Sequence, residues 1–534
     1  MDRLDDAGDL ILAFHVRRIG GRNPLLGTLP RVDAAAQKAR TEMWAAVLAE
    51  LDEIAARPLG PEDREDLDVF RQQIEVQHQS QLFRDYLRPF NCFASFWDDP
   101  AALLREQVLR TDADFRRALS MMRDIPRFFD ENIANMRQGL AEGITQPRLV
   151  AERCIPTIRA VVETGGTYLD AFGTSPLRAE AETVLHAEVI PAYRSLLRFM
   201  TEEYAPNAGD TLAASARAGF YEAKIREYTT LDITPERVRE IGLAEVAAVS
   251  AKMQDAMRAA GFTGTMAEFL AHLRDDPQFY ARSEDELLMR AAWICKRAEG
   301  QLDRFFTHLP RRRFAIEPVP AALAATYPPG TCSLSAYHLN TTNLRAQPLY
   351  LLPVLSLHEA VPGHCFQMAL AAENDSHPPF RADTYGVAYG NAWALYCEKR
   401  LGVEMGIYRD AYELFGMWSS IGLRAARMVV DVGLHLDGWT RDQACAYLRE
   451  NTALSEHVIG TEVDRYISWP AQALGYYLGM LSTEEMRAKA EAALPDFDLR
   501  AFYDTIMEIG SVPMTVLETR LQRFIDEGGR GPYG

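Results

Sequence analysis

Two histidines and a glutamate lie within seven residues of each other, and these residue types suit the binding and use of a divalent metal ion. Neutral imidazole nitrogens bind borderline cations such as Zn²⁺, and a neighbouring carboxylate can accept a proton from a metal-bound water. We therefore consider His358 and His364 candidate metal ligands and Glu359 the candidate general base. The ordinary alternative is that all three are unrelated packing or surface residues.

The spacing of the two histidines predicts an interrupted helix. They are six positions apart, and six steps leave two side chains about 120° apart around a continuous helix. Pro362 and Gly363 stand between them, and both residue types interrupt or kink helices. We expect one helix to end at His358 and Glu359, and a second to begin at His364. The apolar run Leu349–Leu355 predicts that the first helix is buried.

The segment His358–Gln367 resembles the HExxPGHH signature of the DUF885 family, a group of bacterial proteins that look like zinc metallopeptidases of the gluzincin type. The resemblance continues, in the expected order, through most of the chain. Further matching segments are Tyr228–Pro235, Gly242–Val246, Trp393–Glu398, Arg427–His435, Gly438–Thr440, Glu462–Tyr466, Pro470–Tyr476, Phe497–Arg500 and Gly510–Pro513. The resemblance implies zinc as the cofactor, although another divalent metal would also suit, and a peptide or small amide as the substrate.

Several positions depart from the family pattern. Cys365 replaces a second adjacent histidine, Asn391 replaces a glutamate, and Ala392 and Ala471 replace glycines. By analogy with other gluzincins, the position of Asn391 is that of the third zinc ligand, where asparagine offers only a neutral oxygen. Glu398 lies seven residues further on, two turns along the same helical face. It is a ligand, a partner of a ligand, or a substitute reached by a shifted metal.

Three further residues in the matching segments have side chains that suit catalysis. A peptidase needs a donor for the tetrahedral oxyanion, and a cation if it binds a terminal carboxylate. Tyr466, Arg465 and Tyr476 are candidates for these tasks. The alternative is structural: a buried tyrosine with its hydroxyl bonded, and an arginine in an ion pair.

Three functions are consistent with these residues. The first is a metal-dependent hydrolase of a peptide or amide bond, in which Glu359 activates a metal-bound water. The second is a diverged metalloenzyme that acts on a small amide or amino-acid-like metabolite. The third is a non-catalytic binding protein that has lost the metal. Retention of Glu359 favours an enzyme, because a binding protein has no chemical need for a general base.

Composition narrows the class of partner. The net charge of −18 argues against nucleic acid and anionic membranes, which need basic surfaces. The acidic N-terminal segment has no apolar signal region, and seven scattered cysteines do not resemble a disulfide framework. We therefore expect a cytoplasmic protein. The sequence leaves its oligomeric state open.

Helical periodicity dominates the chain and predicts a mainly α fold. The family resemblance further implies a large multi-helix, metallopeptidase-like architecture with a deep central cleft and at most a small edge sheet. Two lobes of one compact unit are predicted, an N-terminal helical lobe over 1–205 and a catalytic region over 206–534, with a loop at 205–209 between them. Predicted helices cover 34–56, 113–136 and 179–203, with interruptions at Pro126 and Pro191; helix starts are predicted at Thr234 and Ser283, and strands at 313–319 and 332–339.

Overall fold

The structure is a computed structural model that describes residues 27–212, 217–320, 324, 327–382 and 384–533. It is 68% helical and has one small three-stranded sheet, so the predicted mainly α fold is confirmed. No helix among the described residues is long and apolar enough to cross a membrane.

The described α-helices, in chain order, are α1 (Ala34–Ala55), α2 (Pro61–Phe83), α3 (Asp99–Glu106), α4 (Asp112–Glu142), α5 (Arg148–Thr164), α6 (Arg178–Val184), α7 (Ile190–Arg198), α8 (Ala205–Asn207), α9 (Phe220–Thr229), α10 (Pro235–Ala259), α11 (Met266–Asp275), α12 (Glu284–Glu299), α13 (Leu352–Glu359), α14 (His364–Glu373), α15 (Pro379–Ala382), α16 (Val387–Tyr396), α17 (Gly402–Glu404), α18 (Ala411–His435), α19 (Arg441–Asn451), α20 (Glu456–Ser468), α21 (Gly475–Ala493), α22 (Leu499–Glu508) and α23 (Met514–Asp526). Segments of π-helix cover Leu185–Val189, Phe199–Tyr204 and Cys397–Leu401.

Local sequence signals account for several helix starts. The hydroxyl of Thr234 accepts a hydrogen bond from the backbone N–H of Arg237, and Pro235 occupies the first helical position of α10. The hydroxyl of Ser283 likewise accepts from the N–H of Glu286 at the start of α12. Both predicted caps are therefore confirmed.

Prolines interrupt the helices less than expected. Helix α4 continues through Pro126 without a break. Around Pro191 the chain stays helical but changes from π-helix to α-helix, and a π-helical turn can accommodate the missing proline N–H. The predicted loop at 205–209 is partly wrong, because helix α8 extends the helical run to Asn207.

The sheet differs in detail from the prediction. It consists of β1 (Ala315–Pro318), β2 (Gly330–Cys332) and β3 (Ala336–Leu339), in the order β1-β3-β2. The segment expected to form one strand over 332–339 instead supplies the end of β2 and all of β3, which pair antiparallel. Strand β3 is central, and β2 is an edge strand whose last residue is Cys332.

The chain divides into two compact units. The first contains the described residues up to Ala223, together with Leu434–Arg441 and Gly460–Pro470. The second contains Lys224–Gly433, Asp442–Ile459 and the described residues from Ala471 onward. Helix α13, helix α14, helix α16 and the sheet all belong to the second unit. The lobe boundary after residue 205 stays a prediction.

Candidate functional site

The two candidate histidines come together because the helix breaks between them. Helix α13 ends at Glu359 and helix α14 begins at His364, as predicted. At Gly363 a Cβ atom would lie 2.0 Å from the carbonyl oxygen of His358, so only glycine fits this turn. The centroids of the two imidazole rings are 4.9 Å apart and the rings are nearly perpendicular, at 86°. Both histidines are buried.

Helix α16 packs against this break. The indole N–H of Trp393 donates a hydrogen bond to the carbonyl oxygen of Pro362, at 2.8 Å. The helix that carries His358 and the helix that carries Trp393 therefore pack against each other. Helix α16 in turn lies very close to α21, where a Cβ at Gly479 would be 2.3 Å from the carbonyl oxygen of Ala388.

Glu398 forms a direct hydrogen bond with the imidazole of His358. Its Oε1 atom lies 2.6 Å from Nδ1 of His358, and its side chain is completely buried. Its other oxygen, Oε2, accepts a hydrogen bond of 2.7 Å from the hydroxyl of Ser420. A carboxylate on Nδ1 fixes the ring orientation and leaves Nε2 for a metal ion. Of the three roles open for Glu398, this geometry favours the partner of a ligand.

A partly buried arginine keeps Glu398 ionised. Burial by itself would raise the pKa of Glu398, but the nearby Arg424 guanidinium and the bond with His358 lower it below its usual value. Arg424 lies 3.8 Å from Oε1 of Glu398, and it also donates to the hydroxyl of Ser420. Sequence analysis missed Ser420 and Arg424, because helix α18 carries no local motif that connects them with the histidines.

Asn391 lies beside the other imidazole. Its side chain is a neighbour of the His364 ring, and its Nδ2 atom donates to the hydroxyl of Tyr385, at 3.1 Å. Burial, followed by the neighbouring His358, lowers the pKa of His364 to about 3, so this ring is neutral at physiological pH. The position that the resemblance assigns to the third ligand is therefore beside a candidate ligand histidine, but it carries a neutral amide.

Sequence analysis did not identify Tyr385. Its hydroxyl is another candidate hydrogen-bond donor at this site. The residue as a whole is 48% exposed, yet burial around the hydroxyl raises its pKa well above the usual value. The hydroxyl therefore stays protonated and can donate. A Cβ at Gly390 would lie 2.5 Å from the ring, so this glycine makes room for Tyr385 against helix α16.

Glu359 is a carboxyl group with unusual proton affinity. Protein atoms surround it on most sides, and this burial raises its pKa to about 8, which the nearby His358 opposes only in part. The thiol of Cys332, at the end of strand β2, is a neighbour of the Glu359 carboxyl. A carboxyl that titrates near neutral pH can both accept and return a proton.

The remaining predicted residues have other contacts. Tyr476 belongs to the second unit, packs under the guanidinium of Arg427 at 5.4 Å, and is a neighbour of Tyr385. Tyr466 and Arg465 belong to the first unit, where the buried Tyr466 hydroxyl donates to Glu462 and Arg465 pairs with the same carboxylate at 3.5 Å. These bonds match the structural alternative for both residues. Their catalytic roles stay predictions.

The groups at this site that could hold a divalent ion are all neutral. They are Nε2 of His358, the ring of His364 and the amide oxygen of Asn391. Among the described residues, no group of three or more His, Cys, Asp or Glu side chains is arranged to hold a metal ion. Because an anionic third ligand is missing, the affinity should be lower than that of a site with two histidines and a carboxylate.

A comparison with protein families matches residues 17–521 to the family described as "Bacterial protein of unknown function (DUF885)". The chain belongs to the DUF885 family. Among curated proteins, none matches the sequence significantly.

Two solved structures share the fold of this DUF885 protein. A "putative lipoprotein" from Colwellia psychrerythraea superposes with a TM-score of 0.84 at 25% identity, over 94% of this chain and 93% of that one. A "putative lipoprotein of unknown function" from Shewanella oneidensis superposes with a TM-score of 0.79 at 16% identity, over 97% and 98% of the two chains. The fold of this DUF885 protein therefore occurs nearly complete in both.

Proposed function

We propose that this DUF885 protein is a metal-dependent hydrolase of a peptide or amide bond. The observation that carries the proposal is the buried hydrogen bond between Glu398 and Nδ1 of His358, beside a neutral His364. Burying a carboxylate to orient one imidazole is costly, and this arrangement is typical of metal-binding histidines. A purely structural pair would not require a second neutral imidazole and a second carboxyl group next to it.

Each residue has a distinct task in the proposed reaction. His358 and His364 would hold the ion, with the amide oxygen of Asn391 as the third donor. The ion, when bound, supplies Lewis-acid polarisation of the scissile carbonyl and lowers the pKa of water. Glu359 takes the proton of the attacking water and passes it to the leaving nitrogen. The hydroxyl of Tyr385 donates a hydrogen bond to the oxyanion that develops on the substrate.

The proton affinity of Glu359 supports its task. With a pKa of about 8, it is poised between its two protonation states near neutral pH. A bound cation would shift this equilibrium toward the carboxylate, which is the form that accepts a proton. A glutamate with an ordinary pKa would accept the proton less readily and return it more easily.

Metal analysis and a matched pair of variants test the proposal. The purified protein is loaded with Zn²⁺, Mn²⁺ or Co²⁺, and the metal content is measured together with the hydrolysis of a mixed library of peptides and small amides. We expect Glu359→Gln to retain the metal and to lose about 10²-fold or more in kcat, the usual scale for loss of a general base. Glu299→Gln is the control, because Glu299 forms an exposed ion pair with Lys296 on helix α12.

The outcomes distinguish the three functions. Cleavage of peptides that depends on Glu359 supports the proposal as stated. Cleavage of small amides alone would favour the diverged metalloenzyme. Failure to bind any of the three metals at millimolar concentration, with no hydrolysis, would favour a binding protein and refute the proposal. The cytoplasmic location stays a prediction, which fractionation of cells that make the protein can test.

A further inference from the structure

Three sulfur atoms lie together next to the candidate site. The thiol of Cys332, at the end of strand β2, is 3.8 Å from the thioether sulfur of Met368. The thiol of Cys365 donates a hydrogen bond of 3.7 Å to the carbonyl oxygen of Ser333, the residue that follows Cys332. Cys365 and Met368 are three residues apart on helix α14, which places them on one helical face. All seven cysteines are free, so both thiols are available as ligands.

The separation of the Cys332 and Met368 sulfurs suits a three-coordinate metal ion. Three sulfur ligands about 2.3 Å from an ion at the centre of a planar triangle are about 4.0 Å apart. The separation of 3.8 Å between Cys332 and Met368 is close to this value. Cys332 and Met368 are only half-buried, so an ion can reach the cluster, whereas Cys365 is buried behind them.

We propose that Cys332, Cys365 and Met368 form a binding site for a soft monovalent cation, with Cu⁺ as the metal that the ligands fit. Thiolates and thioethers select Cu⁺, which accepts low coordination numbers, whereas Zn²⁺ almost always requires four ligands in structural sites. The two thiols lose their protons to solvent as the ion binds, and copper remains Cu⁺ throughout. This site shares no ligand with the His358 and His364 pair, so it does not depend on the proposed hydrolysis.

Cu⁺ binding can be measured directly. Reduced, metal-free protein is titrated anaerobically with Cu⁺ in competition with a chromogenic Cu⁺ chelator. We expect one tightly bound Cu⁺ per chain and an X-ray absorption spectrum with three sulfur neighbours. Cys332→Ser and Cys365→Ser should weaken the binding by about 100-fold or more, because a hydroxyl replaces a soft thiolate. Met368→Leu, which conserves volume, should weaken it about tenfold.

Two controls make the test specific. Cys445→Ser removes a thiol from helix α19 and should leave the Cu⁺ affinity unchanged. His358→Ala should also leave it unchanged. Equal affinity in the wild type and in the Cys332, Cys365 and Met368 variants would overturn the proposal. Loss of Cu⁺ binding in His358→Ala would also overturn it. A third contrary result would be a spectrum with only two sulfur neighbours that is the same in the wild type and in Met368→Leu.

Discussion

Glu359 makes the stability of the metal-free protein depend on pH, and Glu359→Gln should remove that dependence. The folded protein raises the pKa of this carboxyl from the usual 4.5 to about 8. Between these two values the folded chain holds a proton that the unfolded chain has lost, so the free energy of unfolding falls as the pH rises. Glutamine keeps the shape and has no charge to desolvate.

The size of the effect follows from the pKa shift. At about 1.4 kcal/mol per pKa unit, a rise from 4.5 to about 8 gives a ceiling of about 5 kcal/mol. Glu359 keeps some solvent contact, which reduces the penalty for its charged form. We therefore expect the change that Glu359→Gln causes in the free energy of unfolding of the metal-free protein to be more stabilising at pH 9 than at pH 4.5, by about 2 kcal/mol.

Urea unfolding of the metal-free wild type and variant at several pH values measures this difference. The metal must be removed first, because a bound cation favours the carboxylate. Glu299→Gln serves as the control and should show no comparable trend. If the difference in the free energy of unfolding between wild type and Glu359→Gln stays constant from pH 4.5 to pH 9, the carboxyl has an ordinary pKa and the reasoning about its environment is wrong.

Four other substitutions address the site and its supports. Asn391→Glu should tighten Zn²⁺ binding about tenfold or more, measured by chelator competition, because an anionic oxygen replaces a neutral one; unchanged affinity would mean that this position is not a ligand. Glu398→Gln should weaken Zn²⁺ binding about 10- to 100-fold by releasing the ring of His358, and a larger loss than that of His358→Ala would instead identify Glu398 as a direct ligand. Ala471 has a φ of 64°, in the left-handed region, so Ala471→Gly should stabilise the protein by about 1 kcal/mol in urea unfolding; a loss of stability would contradict this. Gly363→Ala should destabilise it by about 3 kcal/mol or more, because the new Cβ would clash with the His358 carbonyl, and a well-folded variant that still binds Zn²⁺ would refute the requirement for glycine.

The sequence was sufficient where the signal is local. Thr234 and Ser283 are side chains that cap the helices immediately following them, so their neighbours alone identify them. The break at Pro362 and Gly363 was predictable for the same reason, since these residue types limit the backbone at their own positions. The family resemblance adds information of another kind: it drew attention to Asn391, which lies next to His364, and the role of Asn391 as third ligand stays a prediction.

The sequence was insufficient where contacts between distant segments decide. The bond from Glu398 to His358 joins residues forty positions apart, and Ser420 and Arg424 complete it from another helix. Nothing in the residues around Glu398 indicates which of three roles it has. The strand at 332–339 is a similar case: the segment has strand propensity, but propensity does not show that it divides between two antiparallel strands.

One uninterrupted helical run carries the partners of both imidazoles. Asn391 lies in α16, Glu398 lies in the π-helical segment that continues it, and each contacts a different histidine. Point substitutions between Asn391 and Glu398 do not change the angle between these two side chains around the helix axis. Insertion or deletion of a single residue would rotate one partner by about 100° relative to the other. Length changes at 392–397 should therefore be far less tolerated than substitutions in a deletion and insertion scan of this chain.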